Sequence, residues 1–275
     1  MKTTLILCLV FCAIKATAST TYYPDSTLEI FSNEKTSPKE LREEIYNLST
    51  KFHVTHPNSN DILSDTCPDK EKCISQKTNL NYEEARKVMF GQLFIESHGS
   101  GNYSVKDVYC NINLDQYQGV GPGKIPNPKL MNCEHTWPQS KFSKQFPADL
   151  QKTDLHHLFP VDMRSNSTRN NFPFAEVNGK ATHSECLDSQ IGNSLNTNTR
   201  AFEPPTEHKG NVARAIYYFS TRYKMDISNT EAQYLKIWNE EDPVDKEELE
   251  RNQKISKIQG NRNPFVDYPE LVNRL

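Results

Sequence analysis

The stretch that decides the fold runs from Asn132 to Phe172 and reads NCEHTWPQSKFSKQFPADLQKTDLHHLFPVDMRSNSTRNNF. It opens with an acid beside an imidazole, Glu134 and His135, and it ends with a run rich in Asn, Ser, Thr and Arg. Hard divalent cations prefer oxygen ligands, and Mg²⁺ binds through only one or two protein groups. A neutral histidine can accept a proton near pH 7. The stretch therefore predicts Glu134 and Asn166 as metal ligands and His135 as a catalytic general base.

Local patterns within this stretch predict how these side chains meet. Met131 to Trp137 is short, has mixed polarity and stops before a proline, which favours a strand. Thr153 to Pro160 is predicted to be the strand that returns beside it. Ser165 is then expected to cap a short helix that carries Asn166 and Arg169 on neighbouring turns. Strand, loop, strand and helix would bring the predicted ligands and the base around one point.

Three blocks of the stretch carry a family resemblance. CEHTWP, DLHHLFPVD and RSNSTRNNF resemble the active-site region of the endonuclease I family, which are secreted or periplasmic nucleases of the ββα-metal (His-Me finger) class. NYEEARKVMFGQLF and VKDVYCN upstream, and FEPP, KGNVARAIYYFSTRY and IQGNRNPFVDYPEL downstream, follow in the family's order. The resemblance covers roughly residues 79 to 275. It implies an α+β fold in which a ββα-metal core is surrounded by helices.

The resemblance also implies an activity. It implies a monomeric endonuclease that uses one metal ion, Mg²⁺ with Mn²⁺ or Ca²⁺ as alternatives, and that leaves 5′-phosphate ends without strong sequence specificity. The substrate is expected to be DNA, with RNA left open. The second nitrogen of His135 is expected to bond a backbone carbonyl near Thr153. Two other hypotheses stay open, a secreted phosphodiesterase of small nucleotides and a non-enzymatic nucleic-acid-binding protein.

The N-terminus predicts export from the cell. Lys2 precedes a short apolar run, and small residues follow at Ala16 to Ala18, as in a secretory signal peptide. We therefore predict a signal peptide over residues 1–18 and a single domain over 19–275. That domain would comprise a helix and loop extension (19–78) and the endonuclease I-like region (79–275). A hydrophobic content of 35% and a mean hydropathy of −0.75 are typical of a globular protein outside the membrane.

The charge balance limits how the chain can hold a polyanion. The net charge of −3 becomes −5 after signal removal, with 30 Lys and Arg against 35 Asp and Glu. Phosphate contacts must then come from locally grouped cations. The predicted substrate-binding residues are Lys141, Arg169, Lys209 and Arg214. For any one of them a solvated surface charge is the competing interpretation, and Arg169 is as well explained by bracing its loop. Some family members carry a phosphate-steadying arginine between the two strands, where this chain offers only Lys141, Lys144 and Lys152.

Cysteine usage predicts disulfides rather than zinc. Two of the seven cysteines lie in the predicted signal peptide, and the others would meet an oxidising compartment. Cys67 and Cys73 are the predicted pair. Among Cys110, Cys133 and Cys186, one must stay free or pair outside the chain. Zinc is disfavoured because the chain lacks CxxC and HxxxH spacing.

The flanking segments give weaker predictions. Pro38 to Phe52 and Lys209 to Lys224 are predicted helices, and Asn81 is predicted to cap another that runs as far as Ser97. His53 to Lys77 and Gly179 to Thr199 are predicted surface loops. Within the returning strand, His156 and His157 would face opposite sides, so at most one can point into the site. Asn166-Ser167-Thr168 is also an N-glycosylation sequon, and a glycan there would destroy the predicted metal site.

Overall fold

The computed structural model describes residues 21–75 and 80–275 of the chain. The predicted signal peptide, residues 1–18, lies outside these residues. Within them the chain has a mixed α+β fold, as predicted, with small antiparallel sheets surrounded by helices. No helix of the described part is both long enough and apolar enough to cross a membrane.

The N-terminal part pairs two helices with a small sheet. Its elements are α1 (Asp25–Ser32), α2 (Pro38–Thr50), β1 (Phe52–His56), β2 (Ser59–Ser64) and β3 (Cys73–Ile74). Helix α2 was predicted, but the prediction of a loop from His53 to Lys77 was wrong, since three antiparallel strands form there in the order β2-β1-β3. Polar residues inside the sheet hid the strand pattern. His53 and Asp61 are both buried, with His53 Nδ1 3.3 Å from an Asp61 carboxylate oxygen.

The segment before the deciding stretch forms a helix and a second sheet. Its elements are α3 (Tyr82–Val88), a π-helical turn (Met89–Leu93), β4 (Ile95–Ser97), β5 (Tyr103–Lys106) and β6 (Asn113–Asp115). Asn81 caps α3, as predicted, and the structure adds a reciprocal capping box with Glu84. The helix ends earlier than predicted. Gly91 in the π turn approaches the connector after β6 so closely that an added Cβ would lie 2.3 Å from the backbone nitrogen of Gly123.

The deciding stretch folds as two strands followed by a helix. Its elements are β7 (Met131–His135), α4 (Ala148–Lys152), β8 (Leu158–Asp162) and α5 (Met163–Arg169). Strands β7 and β8 are antiparallel, in register from Met131 opposite Asp162 to His135 opposite Leu158. The returning strand begins later than predicted because residues Leu155–His157 form a 3₁₀ turn. Asp162, not Ser165, caps α5 by accepting a hydrogen bond from the Ser165 amide at 2.8 Å.

The C-terminal part adds another three-stranded sheet and the longest helices. Its elements are β9 (Val177–His183), β10 (Cys186–Ser194), β11 (Arg200–Glu203), α6 (Thr206–Arg222), α7 (Asn229–Glu241), α8 (Lys246–Gln259) and α9 (Pro264–Asp267), then a 3₁₀ segment (Pro269–Arg274). The prediction of a loop over Gly179 to Thr199 was wrong, because β9 and β10 form a hairpin there. Gly179 and Gly192 lie opposite each other, and a Cβ on Gly192 would meet the facing backbone at 2.4 Å. This close approach requires glycine in both strands. Because glycine is uncommon in strands, the sequence did not indicate a hairpin here.

Two apolar clusters hold the β7–β8 ribbon between them. Cys133 and Leu158 belong to one cluster with residues of α3 and the π turn, whereas Val161 belongs to the larger cluster built around α6. Alternate residues of a strand face opposite sides, so the ribbon contributes to both clusters. Burial on both faces fixes the register of β7, and with it the positions of Glu134 and His135.

Two disulfides cross-link the described residues. The predicted pair Cys67–Cys73 is confirmed, and Cys110 pairs with Cys186, which leaves Cys133 free and buried. The Cys110–Cys186 bond closes 76 residues and lies against α5, where the Ser165 hydroxyl is 3.0 Å from Cys110 Sγ. The bond therefore ties the segment before β6 to β10 beside that helix.

The two disulfides are expected to differ in their contribution to stability. By chain entropy, the 76-residue separation of Cys110–Cys186 corresponds to about 4 kcal/mol, and the 6-residue separation of Cys67–Cys73 to about 2 kcal/mol. The double variant Cys110→Ser/Cys186→Ser should therefore lose more free energy of unfolding in urea than the matched Cys67→Ser/Cys73→Ser variant. Equal losses would contradict this expectation.

Candidate active site

Helix α5 brings Asn166 against the strand that carries the predicted acid and base. The Asn166 side-chain nitrogen donates to Asn132 Oδ1 at 2.6 Å. Asn132 and Glu134 are two residues apart on β7 and so share one face of the strand. Since Asn166 uses its nitrogen in this bond, its carbonyl oxygen Oδ1 is left for another partner. A glycan on that nitrogen would leave it only one hydrogen to donate and would crowd the contact to Asn132.

Glu134 is buried, with only 3% of its surface exposed, and its two side-chain partners both contact the same oxygen. Oε1 accepts a hydrogen bond from the Tyr109 hydroxyl at 2.9 Å and forms an ion pair with Arg169 Nη1 at 2.8 Å. Within the described residues, Oε2 accepts no hydrogen bond from another side chain, although the backbone amide of His135 also interacts with the carboxylate. Burial raises the pKa of Glu134, while Arg169 and Tyr109 act to lower it. A further positive charge beside Oε2 would stabilise the ionised form.

Arg169 braces the end of β7 from inside the protein. In addition to the Glu134 ion pair, its guanidinium donates to the carbonyl oxygens of His135 at 3.2 Å and Thr136 at 2.8 Å, and it lies 4.4 Å from the Phe174 ring centroid. Arg169 is 1% exposed. Of the two sequence interpretations of Arg169, the structure supports bracing, because a guanidinium this enclosed cannot reach a substrate phosphate.

The contacts of His135 fix which of its nitrogens carries the proton. Nε2 lies 3.0 Å from the carbonyl oxygen of Lys152, one residue before the predicted position, so Nε2 must be the donor. Nδ1 then keeps the lone pair and lies 3.2 Å from the Gln139 amide nitrogen. Burial, followed by the nearby His157, lowers the pKa of His135 to about 3. The ring is therefore neutral near pH 7 and can accept a proton at Nδ1.

The second histidine pair supports the site without entering it. His157 packs its ring 5.3 Å from the His135 ring, and its Nε2 bonds the Gln151 carbonyl oxygen at 2.9 Å. His156 points elsewhere and bonds the Asn261 carbonyl oxygen at 3.0 Å. Both are buried. At most one of the pair was predicted to face the site, and only His157 contacts it.

Two of the predicted substrate-binding cations are buried in ion pairs, which corrects their assignment. Lys209 is 7% exposed and bonds Glu176 and Glu203 at 2.6 and 2.8 Å. Arg214 is 0% exposed and pairs with Glu248 at 2.6 Å. In this arrangement they cannot contact a phosphate, because their side chains are buried and their charges are neutralised by the paired glutamates. Lys141 is exposed and close enough to Arg169 for that charge to lower the pKa of its ammonium, although burial is the larger cause.

Two other features resemble binding sites. Cys110, Cys186 and His183 converge within 4.8 Å, but the two cysteines form a disulfide and cannot act as thiolate ligands. A cavity of about 660 Å³ has Phe159, His208, seven acidic residues and four basic residues in its lining. None of the predicted catalytic or metal residues lines it. Its acidic lining does not suit a polyanion.

Several buried histidines predict a strong dependence of stability on pH. Burial is the largest cause lowering the pKa to about 3 or 4 in four residues, His135, His156, His157 and His208. The unfolded chain, with histidine pKa values near 6.5, then binds more protons than the folded chain, so stability falls as pH decreases below about 6.5. Each histidine contributes about 1.4 kcal/mol per pH unit in that window, against the opposing effect of carboxyls such as Glu134 whose pKa is raised.

Urea unfolding at several pH values measures this effect. The free energy of unfolding should decrease steadily from about pH 6.5 to pH 4.5. A constant value over that interval would show that the buried histidines do not control acid stability.

Comparisons with known proteins agree with the geometry. A family model described as Endonuclease I matches residues 69–270. The chain is 34% identical over 165 residues to an extracellular ribonuclease of Bacillus subtilis, covering 52% of this chain and 53% of that protein. It is 33% identical over 191 residues to an extracellular deoxyribonuclease of Aeromonas hydrophila, covering 58% of this chain and 80% of that one. The chain spans about half the length of this ribonuclease and of two other curated relatives that it matches.

Proposed function

Because this chain belongs to the endonuclease I family, we propose that it is a secreted, metal-dependent endonuclease. The proposed reaction is hydrolysis of phosphodiester bonds in nucleic acid, without strong sequence specificity, leaving 5′-phosphate and 3′-hydroxyl ends. Contacts to the phosphate backbone carry no sequence information directly, which is the reason for the low specificity. Relatives named as deoxyribonucleases and as ribonucleases both match, so we propose DNA as the substrate with RNA as a second one.

The observation that carries the proposal is the pair of oxygens left over at the contact between β7 and α5. Among the described residues, Glu134 Oε2 and Asn166 Oδ1 take no hydrogen bond from another side chain, although the other polar atom of each side chain is engaged. A carboxylate and an amide oxygen suit Mg²⁺, with Mn²⁺ or Ca²⁺ as alternatives. When bound, such an ion offsets the negative charge that develops on the phosphate and on the leaving oxygen.

His135 is proposed as the general base. Its Nδ1 would take a proton from the attacking water while Nε2–H stays bonded to the Lys152 carbonyl oxygen. The water oxygen then forms a bond to phosphorus, and the bond from phosphorus to the 3′ oxygen breaks. That oxygen leaves with the electron pair and gains a proton from solvent. The imidazole then releases to solvent the proton that Nδ1 took from the water.

A cleavage assay of the purified chain tests the proposal. Double-stranded DNA, single-stranded DNA and RNA would be incubated with Mg²⁺, with and without excess EDTA, and the product ends would be mapped. We expect fragments with 5′-phosphates that appear only when a divalent ion is present. Digestion of small nucleotides but not of polymers would support a nucleotide phosphodiesterase instead. Binding without any cleavage in Mg²⁺, Mn²⁺ or Ca²⁺ would support a non-enzymatic binding protein.

A further inference from the structure

Two cations beside the proposed base, Arg86 and Lys152, contact an aromatic ring instead of forming an ion pair with a carboxylate. Lys152 Nζ lies 4.3 Å from the ring centroid of Tyr82, and Arg86 Cζ lies 4.8 Å from the same centroid. In the described part of the chain, neither side chain forms an ion pair. The buried Nε of Arg86 has no hydrogen-bond partner there either. Both are half-buried, so part of each side chain still reaches solvent.

The lack of an ion pair distinguishes Arg86 and Lys152 from three of the cations that the sequence predicted to bind substrate. Arg169 pairs with Glu134, Lys209 with the half-buried Glu176 and Glu203, and Arg214 with the buried Glu248. A cation–π contact positions a cation but does not cancel its charge. In a chain with a net charge of −3, Arg86 and Lys152 therefore place two positive charges at one point without an ion pair to either of them.

The position of this pair relates it to the proposed chemistry. The Tyr82 ring centroid is 5.6 Å from the His135 ring centroid. Lys152 is also the residue whose carbonyl oxygen holds His135 Nε2 at 3.0 Å. Arg86 lies on α3 and Lys152 at the end of α4, so two separate elements bring the cations to the same wall. A phosphate positioned next to His135 would meet both side chains.

We propose that Arg86 and Lys152, held against Tyr82, bind a backbone phosphate of the nucleic acid next to the bond that is cleaved. This inference rests on the proposed function and assigns the substrate contacts of that site. An arginine and a lysine can together donate several hydrogen bonds to phosphate oxygens, and Tyr82 limits the freedom that the side chains would lose on binding. The pair takes the role that the sequence alone predicted for Lys209 and Arg214.

The salt dependence of binding tests the proposal directly. An uncleavable complex is available with the His135→Ala variant, so the affinity for a single-stranded oligonucleotide of about 12 nucleotides can be measured from about 50 to 200 mM salt. Each phosphate contact that is lost should reduce the slope of log K against log [salt] by about 0.7. In this background Arg86→Met/Lys152→Met, which removes the contact to that phosphate, should lower the slope by about 0.7 and weaken binding about tenfold at the lower salt concentration.

Matched variants separate a specific contact from a change in net charge. Lys35→Met removes one exposed positive charge in the N-terminal part and should leave the slope unchanged. Arg86→Lys/Lys152→Arg keeps both charges and should retain most of the slope. If Arg86→Met prevents folding, Arg86→Lys/Lys152→Met carries the test with one charge removed. If the slope of log K against log [salt] is the same for Arg86→Met/Lys152→Met as for Lys35→Met, the proposal is overturned.

The result can be distinguished from a failure of the proposed function. In chains that keep His135, loss of the two cations should raise KM for polymeric DNA more than it lowers kcat. Cleavage with normal KM in Arg86→Met/Lys152→Met would reject the phosphate site and leave the nuclease intact. Absence of cleavage by the unmodified chain with any divalent ion would reject the nuclease itself.

Discussion

Replacing His135 with alanine is expected to lower kcat for DNA cleavage by about 10²- to 10⁴-fold, because the proposed general base is lost. The tautomer supports this expectation, since the bond to the Lys152 carbonyl leaves the Nδ1 lone pair free of the proton. The fold should tolerate the change, because alanine leaves a small cavity rather than an unpaired charge. Nicking of supercoiled plasmid in Mg²⁺, under single-turnover conditions, measures the rate.

A histidine elsewhere in the chain provides the control. His56 lies at the end of β1 and is exposed, so His56→Ala should cleave at the normal rate. Added imidazole should restore part of the activity of His135→Ala, because a free base can enter the vacated space. Undiminished cleavage by His135→Ala would remove this residue from the mechanism.

Replacing Arg169 with methionine is expected to cost about 3–5 kcal/mol of stability, because it leaves the buried Glu134 carboxylate without its cation. The carbonyl oxygens of His135 and Thr136 would also lose their donor. Loss of Arg169 should also raise the pKa of Glu134 further. The protonated acid would then be favoured, and it is a poor metal ligand. Urea unfolding measures the first effect, and titration with Mg²⁺ in the cleavage assay measures the second.

The double variant Arg169→Met/Glu134→Gln isolates the ion pair. With both charges removed, it should recover part of the stability lost in Arg169→Met, although it should remain inactive. The losses of unfolding free energy in Arg169→Met and in Glu134→Gln would be compared with the loss in the double variant. If the two single losses simply add, the two side chains do not interact as the structure indicates.

Local sequence signals predicted the features of this fold that depend on near neighbours. The Asn81 cap of α3 was recognised because the capping side chain and the amide that it binds lie three residues apart. Strand β7 was recognised because it is short and bounded by a proline. The hairpin β9–β10 was missed because its glycines and polar residues lack the usual alternation of a strand.

The environment of the candidate site could not be predicted in the same way. Glu134 is held by Tyr109, which lies 25 residues before it, and by Arg169, which lies 35 residues after it. No local pattern shows which cation will be neutralised by such a distant contact. For the same reason Arg169 and Arg214 resembled surface charges in the sequence, whereas the structure buries both.

The Cys110–Cys186 disulfide has a consequence for when the protein becomes competent. It lies against Ser165, and the next residue of α5 is the proposed ligand Asn166. Before oxidation, the thiol form would lack this restraint beside the ligand, so we expect the helix to be held less firmly there. A cell that exports such a chain would then carry it in a latent form for as long as it shares a compartment with the genome. Full nuclease activity would develop only after the chain had left that compartment and the disulfide had formed.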